Sequence, residues 1–209
     1  MTKRLIDISQ ILRPELPVWP GDTNFSLERT WQIDPECPVN VSRLTLSTHS
    51  GAHADAPLHY DPTGADIADV DPAIYLGRCF VFDVTSATER VEPTHFDLSK
   101  ADGAERVLFR TFDRFPTGNW VSDYAAIAWE TIELLASSGV KLVGMDGPSL
   151  DPETSKTLDA HHAVRRAGMA ILEGLVLDNV EEGAYDLIAL PLKIEGADAS
   201  PVRAVLREL

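Results

Sequence analysis

At 209 residues the chain has the length of one large domain or two small ones. Its hydrophobic fraction of 44% and charged fraction of 24% are those of an ordinary globular protein, and no apolar run approaches the ~20 residues that span a bilayer. A formal net charge of -15 argues against nucleic acid and anionic membranes as partners, because both call for a basic surface.

The start, MTKRLIDISQ, lacks the uninterrupted apolar core of a signal peptide, so a cytoplasmic location is expected. Cys37 and Cys79 are far apart and form no CxxC, which predicts two reduced thiols.

Alternating or clustered apolar and β-branched residues predict strands at RLIDIS (4–9), FSLERTWQI (25–33) and VSRLTLST (41–48). A short helix is expected in DPAIYLG (71–77). Strands follow at CFVFDVT (79–85) and RVLFRTF (106–112). The spacing of Ala126, Ile127, Trp129, Ile132, Leu134 and Leu135 predicts a helix over 123–138, stopped by Gly139. The strand KLVGMD (141–146) comes next, then a shorter helix in TLDAHHAVRRAG (157–168). The strands MAILEGLVL (169–177) and YDLIALPLKI (185–194) complete the pattern. No repeat, low-complexity segment or linker divides the chain. The prediction is an α/β fold, a single domain over 1–209 built on a mixed β-sheet.

Three of the six histidines fall in STHSGAHADAPLHY: His49, His53 and His59, with Asp55 between the last two. On an ideal strand these odd-numbered residues would share a face, but His49 and Asp55 would then lie ~20 Å apart. A shared site therefore requires a sharp bend. Gly51 permits unusual backbone angles and Pro57 ends regular pairing. Imidazoles and a carboxylate suit zinc, with manganese or iron as alternatives. The competing reading is a polar surface loop. The spacing matches neither a zinc finger nor HExxH.

His95, in EPTHFDLS, reads as a structural residue of a turn. His161 and His162 begin the shorter helix, and adjacent helical positions diverge by ~100°, so only one can face a given site. Glu173 sits in the apolar strand AILEGL, where a buried carboxylate is costly unless paired, protonated or metal-bound. A helix climbs ~9 Å from His161 to Ala167. A strand from Ala170 to Glu173 travels ~10 Å back if Gly168 reverses the chain. His161 and Glu173 would then stand level. Ser149, in DGPSLDP, has no GxSxG around it and reads as part of a loop after a strand, able to line a pocket.

HSGAHADAPLH resembles the HxGxHxDxPxH signature of the cyclase family of metal-dependent hydrolases. DISQILRPELPVWPGDT, DAHHAVRRAGMAILEGLVLDNV and LPLKIEGADASPVRAVL extend the resemblance through most of the chain, towards the family's bacterial aryl formamidases. The resemblance implies a swivelling β/β/α fold, a homodimer, and two zinc ions per subunit, with manganese as an alternative. It implies hydrolysis of N-formyl-L-kynurenine, an aryl formamide, to L-kynurenine and formate. On matching positions, His49, His53 and Asp55 would bind one zinc. Asp55 would bridge to a second, completed by His161 and Glu173. His59 matches the family's proton donor and acceptor, and Trp19, in VWPGD, a substrate-contacting tryptophan. The rival readings are another cyclase-family amidohydrolase, such as one that opens isatin, and a non-catalytic metal-binding module.

Overall fold

The computed structural model describes residues 3–209. The first strands are β1 (Leu5–Asp7), β2 (Ser26–Trp31), β3 (Val41–Thr45), β4 (His53–Asp55), β5 (Leu76–Asp83), β6 (Arg90–Val91), β7 (Arg106–Arg110) and β8 (Ala126–Ile127). Helix α1 (Trp129–Ser137), β9 (Leu142–Met145), helix α2 (Asp159–Ala167) and β10 (Ala170–Glu173) follow. The chain then forms β11 (Gly183–Ile188), β12 (Ala199–Pro201) and β13 (Val205–Glu208).

Nine strands make one mixed sheet in the order β1-β13-β11-β5-β7-β9-β10-β4-β12. The middle four, β5, β7, β9 and β10, are parallel. Helix α1 lies in the connection from β7 to β9, and α2 connects β9 to β10. Both helices cover one face: Ile132, Leu135, Ala163 and Val164 share a core with Val107, Phe109, Val143 and Ile171. The alternate residues Leu108, Leu142 and Leu172 pack on the other face with Ile8, Tyr75 and Leu187. Burial on both faces explains why these strands read as continuous apolar runs.

All eight predicted strands form, each ending earlier than predicted; those expected from Cys79 and Tyr185 begin sooner, at Leu76 and Gly183. The predicted strand 169–177 stops at Glu173, because Gly174 takes a φ of 65° and turns the chain away. The short helix expected at 71–77 is a 3-10 turn, Pro72–Tyr75, running directly into β5. The helix expected over 123–138 begins only at Trp129. Its first residues are extended because their amides bond alternately to two sides. The Ala126 and Ala128 N–H groups donate to Glu89 and Val91 carbonyls, and the Ile127 N–H donates to Leu150 (2.8 Å). Continuous burial of Tyr124 to Ala128 imitated a helical face. Cys37 and Cys79 are both unpaired, and among the described residues no helix is long and apolar enough to cross a membrane.

The site is positioned by β4 against β10. Glu173 pairs with His53 and Ile171 with Asp55. Directly opposed residues project from the same face, so His53, Asp55 and Glu173 emerge together on the helix-bearing side.

Candidate active site

The bend that the histidine stretch requires is present. The Ser50 N–H donates to Ser47 O (3.1 Å), and Gly51 adopts a φ of 66°. This turn folds His49 back over His53, with ring centroids 5.0 Å apart. Beyond Asp55, a 3-10 turn (Pro57–His59) brings His59 to 4.3 Å from the His49 ring. The second half arrives as the reversal argument expected. Helix α2 ends on Gly168 in the left-handed region (φ 65°). Strand β10 then returns Glu173 to His161, with Nε2 and Oε1 3.7 Å apart. His161 is buried, whereas its neighbour His162 is only half-buried.

The inner atoms converge on Asp55. Its Oδ1 lies 3.1 Å from His49 Nδ1 and 3.5 Å from His53 Nε2, and its Oδ2 lies 3.5 Å from His161 Nε2. Glu173 Oε2 is 3.4 Å from His53 Nε2. The opposite ring nitrogens are braced. His53 Nδ1 donates to Gly51 O (2.9 Å), His161 Nδ1 to Asp151 (2.6 Å) and His49 Nε2 to Asp198 (3.1 Å). Carbonyls and carboxylates only accept, so each outer nitrogen carries the hydrogen. In the neutral imidazole the inner nitrogen is then a lone pair facing the cluster. The Leu150 N–H donates to Glu173 Oε1 (2.7 Å) and fixes that carboxylate.

This arrangement fits a metal. Both oxygens of Asp55 and Nε2 of His53 are buried without a hydrogen-bond partner. Buried polar atoms are rarely left so, and the same atoms are hard-to-borderline metal donors. His53, Asp55 and Glu173 each offer a donor within 4.8 Å of the others. The group His49, Asp55 and His59 meets the same criterion, so His59 also stands within reach of a shared ion.

Electrostatics agree. Burial alone would raise the Asp55 carboxyl, but the His161, His49 and His53 imidazoles gathered around it hold it well below the usual carboxylate range. Burial pulls His49 down, yet Asp55 and Asp198 overcome it and push it up to about 9. His161, despite burial, is pushed to about 10 by Asp151 and Asp55. The pocket thus favours positive charge on or among its imidazoles.

A cavity of about 330 Å³ opens beside these groups. Trp19 and Trp120 meet edge to face on its wall, with centroids 5.4 Å apart, and Phe112, Phe115, Pro148 and Ser149 line it further. The Trp120 Nε1–H donates to Glu153 (2.7 Å), which holds the ring. Asp146, at the end of β9, accepts from the Thr111 and Phe112 N–H groups and anchors the loop that carries the aromatic wall. Every residue singled out from the sequence for this site therefore lies at it. His95 does not: its Nδ1 accepts from the Glu92 N–H (2.9 Å), a turn role as expected. Sequence reasoning missed Trp120, Asp151 and Asp198. Trp120 follows a Gly-Asn pair much as Trp19 precedes Pro-Gly, which was the available signal. Asp151 and Asp198 lie inside quoted segments, but nothing local in the sequence separates them from the chain's other aspartates.

The profile of the Cyclase family matches residues 6–152. The chain is 58% identical over 206 residues to a kynurenine formamidase of Maricaulis maris (strain MCS10), covering 99% of both chains. A solved structure of a potential metal-dependent hydrolase with cyclase activity superposes with a TM-score of 0.83 at 28% identity, covering 100% of this chain and 99% of that one. Isatin hydrolase A of Labrenzia aggregata, bound to benzyl benzoate, shares the fold with a TM-score of 0.84 at 22% identity, over 99% and 94% of the two chains.

Proposed function

The chain belongs to the cyclase family, and from that premise we propose that it is a kynurenine formamidase, hydrolysing N-formyl-L-kynurenine to L-kynurenine and formate. The observation that carries this reading is 58% identity to a kynurenine formamidase along practically the whole chain. We further assign His49, His53 and Asp55 to one metal ion and His161 and Glu173 to a second. Asp55 would serve both ions and Glu173 would contribute to each. The orphaned Asp55 and His53 atoms support this reading. Zinc is the proposed metal, with manganese as the alternative, in one domain over 1–209 that works as a cytoplasmic homodimer.

When bound there, a divalent metal polarises a carbonyl oxygen and lets water ionise near neutral pH. The chain's own residues supply the rest. Trp19 and Trp120 offer flat faces to an aryl ring and direct the formamide towards the histidines. The apolar loop with Phe112 and Phe115 limits water around the reacting amide. His59, 33% exposed at the mouth of the cluster, holds a proton and delivers it to the departing aryl amine nitrogen as the C–N bond breaks. The carbonyl carbon takes up the oxygen of water and leaves as formate.

Chelation tests the proposal. Removing metal should abolish formate release from N-formyl-L-kynurenine, and adding two equivalents of zinc per chain should restore it. Full activity in metal-free protein would contradict the proposal.

A further inference from the structure

Asp198 enters the site from the residue just before β12, the edge strand beside β4. Ala199 pairs with Asp55, and the Ala56 N–H donates to the Asp198 carbonyl (2.8 Å), so the backbone at 198 is registered against the ligand-bearing strand. Its side chain is held as well: Oδ1 accepts from the Thr48 hydroxyl (2.8 Å). The other oxygen, Oδ2, accepts from His49 Nε2 (3.1 Å) and lies 3.5 Å from His59 Nδ1. One carboxylate oxygen therefore faces two imidazoles that the proposed mechanism gives different work.

We propose that Asp198 is a positioning residue for both histidines. Accepting from His49 Nε2, it fixes the tautomer that turns Nδ1 towards Asp55 and the metal position. Facing His59 Nδ1, it orients that ring and leaves Nε2 as the nitrogen that exchanges a proton with the reacting molecule. The inference rests on the reading of His49 as a metal ligand and His59 as the proton carrier. Asp151 also braces His161 but faces no second histidine, and it accepts the Ala160 and His161 N–H groups, so its removal should disturb the start of α2 together with metal binding.

The test uses Asp198→Ala and Asp198→Asn in the full chain. The side chain is 42% exposed and the backbone bond to Ala56 survives, so both variants should melt close to the wild type. In competition with a zinc chelator, Asp198→Ala should bind one zinc equivalent about 10–100-fold more weakly, while the equivalent braced through His161 keeps its affinity. At saturating zinc, kcat should fall by about tenfold or more with KM unchanged. The same substitution in a His59→Ala background should cost no further kcat, because the two residues act as one unit. Asp198→Asn keeps an acceptor oxygen without the charge and should fall between. Wild-type zinc affinity together with wild-type kcat in Asp198→Ala would overturn the inference and leave the metal assignment standing. A wild-type protein that binds no zinc would remove that assignment, and the inference with it.

Discussion

His59 differs from the other three histidines of the site in how it is held. The outer nitrogens of His49, His53 and His161 are braced at 3.1, 2.9 and 2.6 Å, whereas His59 has only Asp198 at 3.5 Å. A ligand benefits from rigidity, and a proton carrier benefits from some freedom. His59→Ala should therefore keep both metal equivalents and lose about 10²–10⁴-fold in kcat, read by metal analysis beside turnover. Loss of metal in that variant would make His59 a ligand, as its closeness to His49 and Asp55 permits. At this scale the site was largely legible in the sequence. The density of His and Asp around Gly51 and Pro57 and the carboxylate in an apolar strand are unusual for loops and strands, and so they signal. The bracing groups Asp151 and Asp198 do not signal, because an aspartate acquires that role only from a contact about 10 or 149 residues away in the chain.

Two turns decide whether the elements bring the halves of the site together. Gly174 ends β10 directly after Glu173 with a φ of 65°, and a Cβ there would stand 2.5 Å from the Gly51 carbonyl oxygen, itself part of the bend that carries His49. Backbone cannot yield as a side-chain tip would. Gly174→Ala should cost about 1–3 kcal/mol in urea denaturation and weaken metal binding with it. An unchanged midpoint would mean that the two turns are not in contact. Element boundaries were less legible than the site. Residues 124–128 are buried throughout, and burial on every side obeys neither period, so the apolar pattern of strand β8 runs on into that of α1 without a break. The strand β12 carries no strand pattern in the sequence, because it has three residues and ends on Pro201, which only an edge position tolerates.

The molecule as a whole leaves one part without support. Among the described residues, strands β2 and β3 pair only with each other, and every residue of both is exposed. Leu27, Trp31, Val41 and Leu44 stand 41–60% exposed on this ribbon. A two-stranded ribbon is marginal in water by itself, and the proposed homodimer would cover it. Sedimentation should give a dimer for the wild type and a monomer for a Trp31→Asp, Leu44→Asp variant; a monomeric wild type would contradict the proposed assembly. The fold alone does not decide the reaction, since isatin hydrolase A shares it at a TM-score of 0.84. The direct measurement is kcat/KM for N-formyl-L-kynurenine against isatin on protein of known metal content. N-formyl-L-kynurenine should be clearly preferred, with formate released in equal amount to L-kynurenine. A preference for isatin would contradict it.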